Sequence, residues 1–177
     1  MVEYYFNIET TGLNPLDDKI ITIQIQKLVG RTGEAFGKLK IFKEWESSEK
    51  EIIKKIMPKL TSSNPFDFII VGKDLLFDFM FLGKRAEKYE LGQLDLISLN
   101  KRVFTDIKHV LVLINKGNFR GYNKLLTKGR TKGAKIPLLY EQKKYDEIIR
   151  HLEIKTQTFI DAYKMLRTRM PSLASYF

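Results

Sequence analysis

Apolar residues along this chain follow two rhythms. Near the N-terminus they alternate or run together in short β-branched stretches, and residues 3–9, 20–28 and 36–42 read as strands. In the first, period-two alternation puts Asn7 and Glu9 on one face and Tyr4, Phe6 and Ile8 on the other. Gly12-Leu13-Asn14-Pro15 and Gly30-Arg31-Thr32-Gly33 punctuate the loops between them. From Ser48 the rhythm changes. Ser48 and Glu51 have capping-box spacing, and Ile52, Ile53, Ile56, Met57 and Leu60 then recur at helical period. Phe66 to Val71 is a short apolar run broken only by Asp67, predicted as a buried strand that ends at Gly72. Asp74 is placed to cap a helix from Leu75 to about Tyr89.

Downstream, Leu94–Leu99 reads as another short strand and residues 107–116 as a helix. Residues 128–135 form a Gly/Lys-rich loop, and a final helix runs from about Lys144 to Arg169 with Pro171 just beyond. Three strands, then alternating helix and strand, then helices, predict a mixed sheet with helices on its faces, in one domain spanning residues 1–177. No internal repeat or linker interrupts it.

Charge narrows the partner. The net charge is +10, and residues 101–135 hold ten Lys or Arg against one acid, Asp106, so that segment carries +9. Such a localised excess suits a polyanion partner such as nucleic acid, with a solvated basic face that has no specific partner as the alternative. Thr10, Lys116, Arg120, Tyr122, Lys124, Lys128, Arg130 and Lys132 are the candidate contacts. Phe119 and Tyr122, set among Arg120 and Lys124, suit either base stacking or the core. The chain has no cysteine, which excludes disulfides and thiolate metal sites and predicts a cytoplasmic location. Strand-like sequence by Tyr4 leaves no space for a signal peptide, and no apolar stretch approaches the roughly 20 residues of a membrane span.

Phe6-Asn7-Ile8-Glu9-Thr10-Thr11-Gly12-Leu13 closely resembles the first motif of the DnaQ-like 3′-5′ exonucleases, Phe-Asp-Ile-Glu-Thr-Thr-Gly-Leu. Gly72 to Leu82 resembles their second motif, a strand followed by His-Asn and then Phe-Asp, with Asp78 at the acid and Lys73-Asp74 departing from His-Asn. The third motif is weaker. An acid is expected there, preceded four residues earlier by Tyr or five residues earlier by His. Aligning the Tyr form puts His151 at the water-orienting position and Lys155 at the acid. At 100° per residue Lys155 shares an arc with Ile148, Leu152, Phe159 and Leu166, whereas Asp146, Glu147, Glu153 and Asp161 face elsewhere. Asp106, before a helix, reads as a cap.

The resemblance implies a ribonuclease-H-like fold, a five-stranded mixed sheet flanked by helices. It also implies two-metal hydrolysis of a single-stranded 3′ end, with Glu9, Asp78 and His151 at catalytic positions and Mg²⁺ or Mn²⁺ held by Glu9 and Asp78 if the site is active. Two-metal hydrolysis needs several carboxylates to neutralise divalent ions about 4 Å apart. Asn7 offers a carbonyl oxygen without charge, and Lys155 brings a positive charge, a combined change of +3. One unit charge at 4 Å is worth roughly 4 kcal/mol even at an effective dielectric near 20. The expectation is a nucleic-acid-binding protein with an impaired or inactive nuclease site, in which Lys155 pairs with Glu9 and Asp78 in place of a metal. An active exonuclease and a structural or protein-interaction subunit are the alternatives. An engineered Asp→Asn change would account for Asn7 and leave Lys155 unexplained.

Overall fold

The computed structural model describes residues 2–62, 64, 67–94, 99, 103–127 and 136–176. Five strands form one mixed sheet: β1 (Val2–Thr10), β2 (Ile20–Leu28), β3 (Lys40–Lys43), β4 (Phe68–Gly72) and β5 (Phe104–Asp106), in the order β3-β2-β1-β4-β5. The β1–β2 and β2–β3 pairs are antiparallel, and the β1–β4 and β4–β5 pairs parallel. The helices are α1 (Glu49–Leu60), α2 (Leu75–Lys88), α3 (Ile107–Ile114), α4 (Asn123–Thr127), α5 (Ile136–Glu141) and α6 (Tyr145–Arg169). This is the five-stranded mixed sheet with flanking helices that the motifs imply. Among the described residues no helix is long and apolar enough to cross a membrane.

Alternation along β1 divides the core. Phe6 and Ile8 join Ile53 and Ile56 of α1 and Leu75, Phe79 and Leu82 of α2. Tyr5 turns the other way, into a cluster with Val71, Leu111 of α3, and Phe159, Tyr163 and Leu166 of α6. The second face is unusually polar for a buried surface: Glu3, Asn7, Thr22, Gln24 and Gln26 are all 7% exposed or less. Their hydrogen bonds make this tolerable. Tyr163 donates its hydroxyl to Glu3 at 2.9 Å, and Gln24 Nε2 donates to Thr22 at 2.6 Å.

Several boundaries differ from expectation for local reasons. β3 begins at Lys40 instead of residue 36, because Gly37 takes φ +75° and breaks the extended backbone; Ala35 makes only an isolated bridge to Leu28. Ser48 caps α1 by accepting from the Glu51 amide at 3.2 Å. Asp74 stands at the N-cap of α2, yet its backbone is left-handed at φ 64° and its side chain makes no cap bond. Asp106 does that work instead, accepting from the Asp74 and Leu75 amides at 3.1 and 2.9 Å while also capping α3 through the Lys108 amide at 2.9 Å. Asp106 is thus the cap that the sequence indicated, for two helices. Gly72 is required where β4 ends: a Cβ there would lie 2.7 Å from the Phe6 carbonyl oxygen. Residues 95–98 of the expected strand over 94–99, and the whole loop over 128–135, fall outside the described residues.

A buried ion pair clamps α1 to α2. Arg85 grips Glu49 through Nε and Nη2 at 2.8 and 2.6 Å, and Glu49 also accepts from the Ile20 amide and the Tyr89 hydroxyl, each at 2.7 Å. Arg85 Nη1 reaches the Pro15 carbonyl at 3.2 Å, tying down the loop that follows β1. Removing one partner of such a pair strands the other charge. Arg85→Met is therefore expected to lower unfolding free energy by about 3–5 kcal/mol in a urea titration. The exposed neighbour change Lys84→Met should stay within about 0.5 kcal/mol.

Candidate nuclease-type active site

The carboxyl-terminal end of β1 delivers Glu9 into a cleft of about 450 Å³ between the sheet and α6. Tyr5, Asn7 and Glu9 form its floor, His151, Lys155 and Thr158 of α6 one wall, and Lys73 and Lys124 further basic positions. Leu126, Ile136, Leu152 and Phe159 give it apolar sides.

Lys155 and Glu9 form an ion pair, Nζ to Oε1, at 2.6 Å. The same Glu9 oxygen accepts from Asn7 Nδ2 at 3.2 Å, and Asn7 also donates to Gln24 Oε1 at 2.5 Å and to the Ile8 carbonyl at 3.0 Å. Burial works against the Lys155 ammonium. The nearby Glu9 carboxylate, with smaller help from Tyr5 and Asp78, outweighs it and holds the lysine above its usual pKa. Glu9 is 16% exposed and the Lys155 side chain 47%, so water still screens the pair, which is weaker than a sealed one. Burial likewise pushes the Tyr5 hydroxyl up to about 12.

Asp78 lies behind Glu9 on α2, only 3% exposed. Burial raises its pKa well above the ordinary carboxylate range; Lys155 opposes this, while Glu9 and Asp74 add to it and a hydrogen bond to the Ile8 backbone opposes it. Its Oδ2 finds no hydrogen-bond partner among the described residues.

Asn7, Glu9, His151 and Lys155 line the cleft, whereas Asp78 does not line it and lies close enough for its charge to act on Lys155. The buried stripe of α6 is Ile148, Leu152, Thr156, Phe159, Ile160, Tyr163 and Leu166, so Lys155 flanks it at the cleft edge instead of sitting within it. Lys155 pairs directly with Glu9, and Asp78 acts on it through charge without a hydrogen bond among the described residues. The acids of α6 stay away: Asp146, Glu147, Glu153 and Asp161 are exposed and none lines the cleft.

The nucleic-acid candidates separate. Lys124 lines the cleft, whereas Lys116 and Arg120 are exposed on the turn between α3 and α4. Tyr122 is not a stacking platform: it is 8% exposed in the second core cluster, with Lys73 over its ring at 5.5 Å. Thr10 donates its hydroxyl to the Gly12 carbonyl at 2.5 Å, shaping the turn after β1. Lys128, Arg130 and Lys132 lie outside the described residues. Gln24 and Lys73 went unread as site residues. The strict Ile21-Thr22-Ile23-Gln24-Ile25-Gln26 alternation was the signal for Gln24, since β1–β2 pairing sets it opposite Asn7. Lys73 occupies the motif's His position.

The donor set does not match a two-metal centre. Of four expected acids, one is an amide and one a lysine, and a Glu9 oxygen is already engaged by both. Among the described residues no three His, Cys, Asp or Glu side chains are grouped to hold a metal.

Known proteins place this geometry. E. coli exonuclease I in complex with a dT13 oligonucleotide superimposes with a TM-score of 0.68 at 13% identity, over 99% of this chain and 43% of that one. The zinc-bound E. coli exonuclease I–single-stranded DNA complex gives 0.67 at 13% identity, over 99% and 42%, and the dA16 complex 0.64 at 12%, over 99% and 42%. The chain spans less than half the length of these exonucleases, and the likeness is one of fold. No curated protein sequence matches. The RNase H superfamily pattern matches residues 4–154. With that match and the motif at residues 6–13, the chain belongs to the RNase H superfamily, with the fold of the DnaQ-like exonucleases.

Proposed function

We propose that this chain binds single-stranded nucleic acid in an exonuclease-type cleft whose metal chemistry has been replaced by an internal cation. The observation that carries the reading is the Lys155 ammonium 2.6 Å from Glu9 Oε1, with Asn7 donating to the same oxygen. A divalent ion at Glu9 would have to displace the ammonium and tolerate its charge a few ångströms away. Lys73, Lys124 and Lys155 leave the cleft basic, which suits a phosphate backbone, and its apolar walls suit nucleobases. Single-stranded DNA is bound by the exonuclease I relatives, and here it is the expected ligand class together with single-stranded RNA.

A second reading, residual metal-dependent 3′-5′ exonuclease activity through Glu9 and Asp78, draws on one observation. Asp78 Oδ2 is buried with no hydrogen-bond partner among the described residues, as a metal-ligand oxygen would be.

Labelled oligo(dT) and oligo(U) incubated with Mg²⁺ or Mn²⁺ separate the readings. Retention that weakens steeply with salt, without shortening, is expected. Processive 3′ shortening abolished by Glu9→Ala would establish the second reading, and no retention even at low salt would point to an interaction subunit. In calorimetry the native chain should give no tight Mn²⁺ isotherm, whereas Asn7→Asp/Lys155→Asp, with folding verified by circular dichroism, should gain one.

Asp78 gives a pH signature. Its folded-state pKa is raised, so the folded protein holds this proton more tightly than the unfolded chain, and the associated stability is lost as pH climbs through the folded pKa. From about pH 4 upward, the melting temperature of Asp78→Asn should therefore rise relative to the native chain, and a flat difference across the range would contradict this.

A further inference from the structure

A second concavity lies on the opposite face of β1 from the cleft. Its volume is about 230 Å³, and it is walled by Tyr4, Ile25, Ile56, Leu60 and Phe68, with Lys59 at its rim. Tyr4 and Phe68 meet edge to face, with centroids 5.6 Å apart. Tyr5 borders both concavities, but β1 alternation turns them to opposite faces, since Asn7 and Glu9 point to one side and Tyr4 and Phe6 to the other.

Sheet register adds lysines to this pocket. Lys27 pairs with Tyr4, and Lys40 with Ile25, so both project on the pocket side. On α1, Lys55 precedes Lys59 by four residues, which aligns them on one stripe. All four lysines are exposed, and none forms an ion pair among the described residues. Two of them lie over neighbouring rings, Lys27 at 4.9 Å from Phe36 and Lys55 at 5.9 Å from Phe42. Nearby acids do not answer this charge: Glu51 makes no ion pair among the described residues, Asp67 accepts from Ser62, and Glu3 is buried on the far face.

We infer that this apolar pocket and its four lysines form a docking site for an acidic peptide segment of a partner protein, anchored by one large apolar side chain. Charge complementarity selects the acidic flanks, and the wall chemistry selects the anchor. A nucleobase in the same pocket would leave its polar edges without partners, at a cost that an aliphatic or aromatic side chain avoids. A second copy of this chain is disfavoured because its net charge is +10.

The test uses a fluorescein-labelled peptide of about ten Asp and Glu residues with a central Trp-Leu pair, titrated with the full chain and followed by anisotropy. Saturable binding is expected. It should weaken by about tenfold or more with Lys55→Glu/Lys59→Glu, and similarly when Trp-Leu is replaced by Ser-Ser in the peptide. Both lysines are exposed, so the variant should fold. As a readout independent of charge reversal, Ile25→Met should perturb binding while leaving oligo(dT) retention unchanged. The inference is overturned if no binding appears at low salt or if Lys55→Glu/Lys59→Glu binds as the native chain does. Full displacement of the peptide by oligo(dT) would assign it to the cleft, and a dimer of the chain in sedimentation velocity that Lys55→Glu/Lys59→Glu dissolves would assign the face to self-association; either also overturns it.

Discussion

From Tyr5 to Ile8 every residue of β1 is buried, with strands on both edges and helices on both faces. That confinement governs the rest. A strand so enclosed must commit each side chain to one of two cores, and it can carry polar groups only where a neighbour answers them. Phe6 and Ile8 are committed to α1 and α2, and Tyr5 to α6. Asn7 is accommodated because Gln24 lies directly across the β1–β2 ladder and accepts its amide, while Thr22 accepts from Gln24 in turn. The polar line that begins at Asn7 therefore extends into β2 as part of the fold's interior.

Glu9 sits where this confinement ends, and its environment is a compromise between interior and solvent. A carboxylate at 16% exposure needs a counter-charge, and an ammonium supplies one without the strict octahedral shell that Mg²⁺ demands. The cost appears at Asp78. It shares the same positive neighbour without a direct bond, and burial holds it toward its neutral form. Two carboxylates that a pair of divalent ions would treat alike are thereby made unequal, one charged and paired, the other secluded.

Much of this was legible in the sequence because short motifs fix both type and place. The Ile8-Glu9-Thr10-Thr11-Gly12 string located β1 and its exit, and Phe77-Asp78 located a buried acid on a helix. Helical periodicity placed Lys155 near Glu9 but put it on the stripe, because a 100° wheel does not say where the contact line falls; Thr156 occupies that line. Tyr122 was open between two roles since an aromatic among lysines has the same sequence signature at a surface or in a core. The Thr22-Gln24-Gln26 face would ordinarily be read as solvent-facing, and its burial is a property of the tertiary fold. Asp74 was misread as a cap because the competing carboxylate, Asp106, comes from a distant strand whose register is a tertiary property.

Asp106 carries one more implication. Its two oxygens take the Asp74, Leu75 and Lys108 amides, so the outermost strand of the sheet holds the start of α2 in position. Asp74 in turn pairs with Lys73, which lines the cleft, and with Lys108 on α3. Lys73, one of the cleft's basic positions, is thus tied to the sheet's edge through Asp74 and Asp106. Whatever engages or shifts that edge strand would be felt at the cleft mouth as a change in where Lys73 stands, which makes the strand a natural place from which to adjust the grip on a ligand.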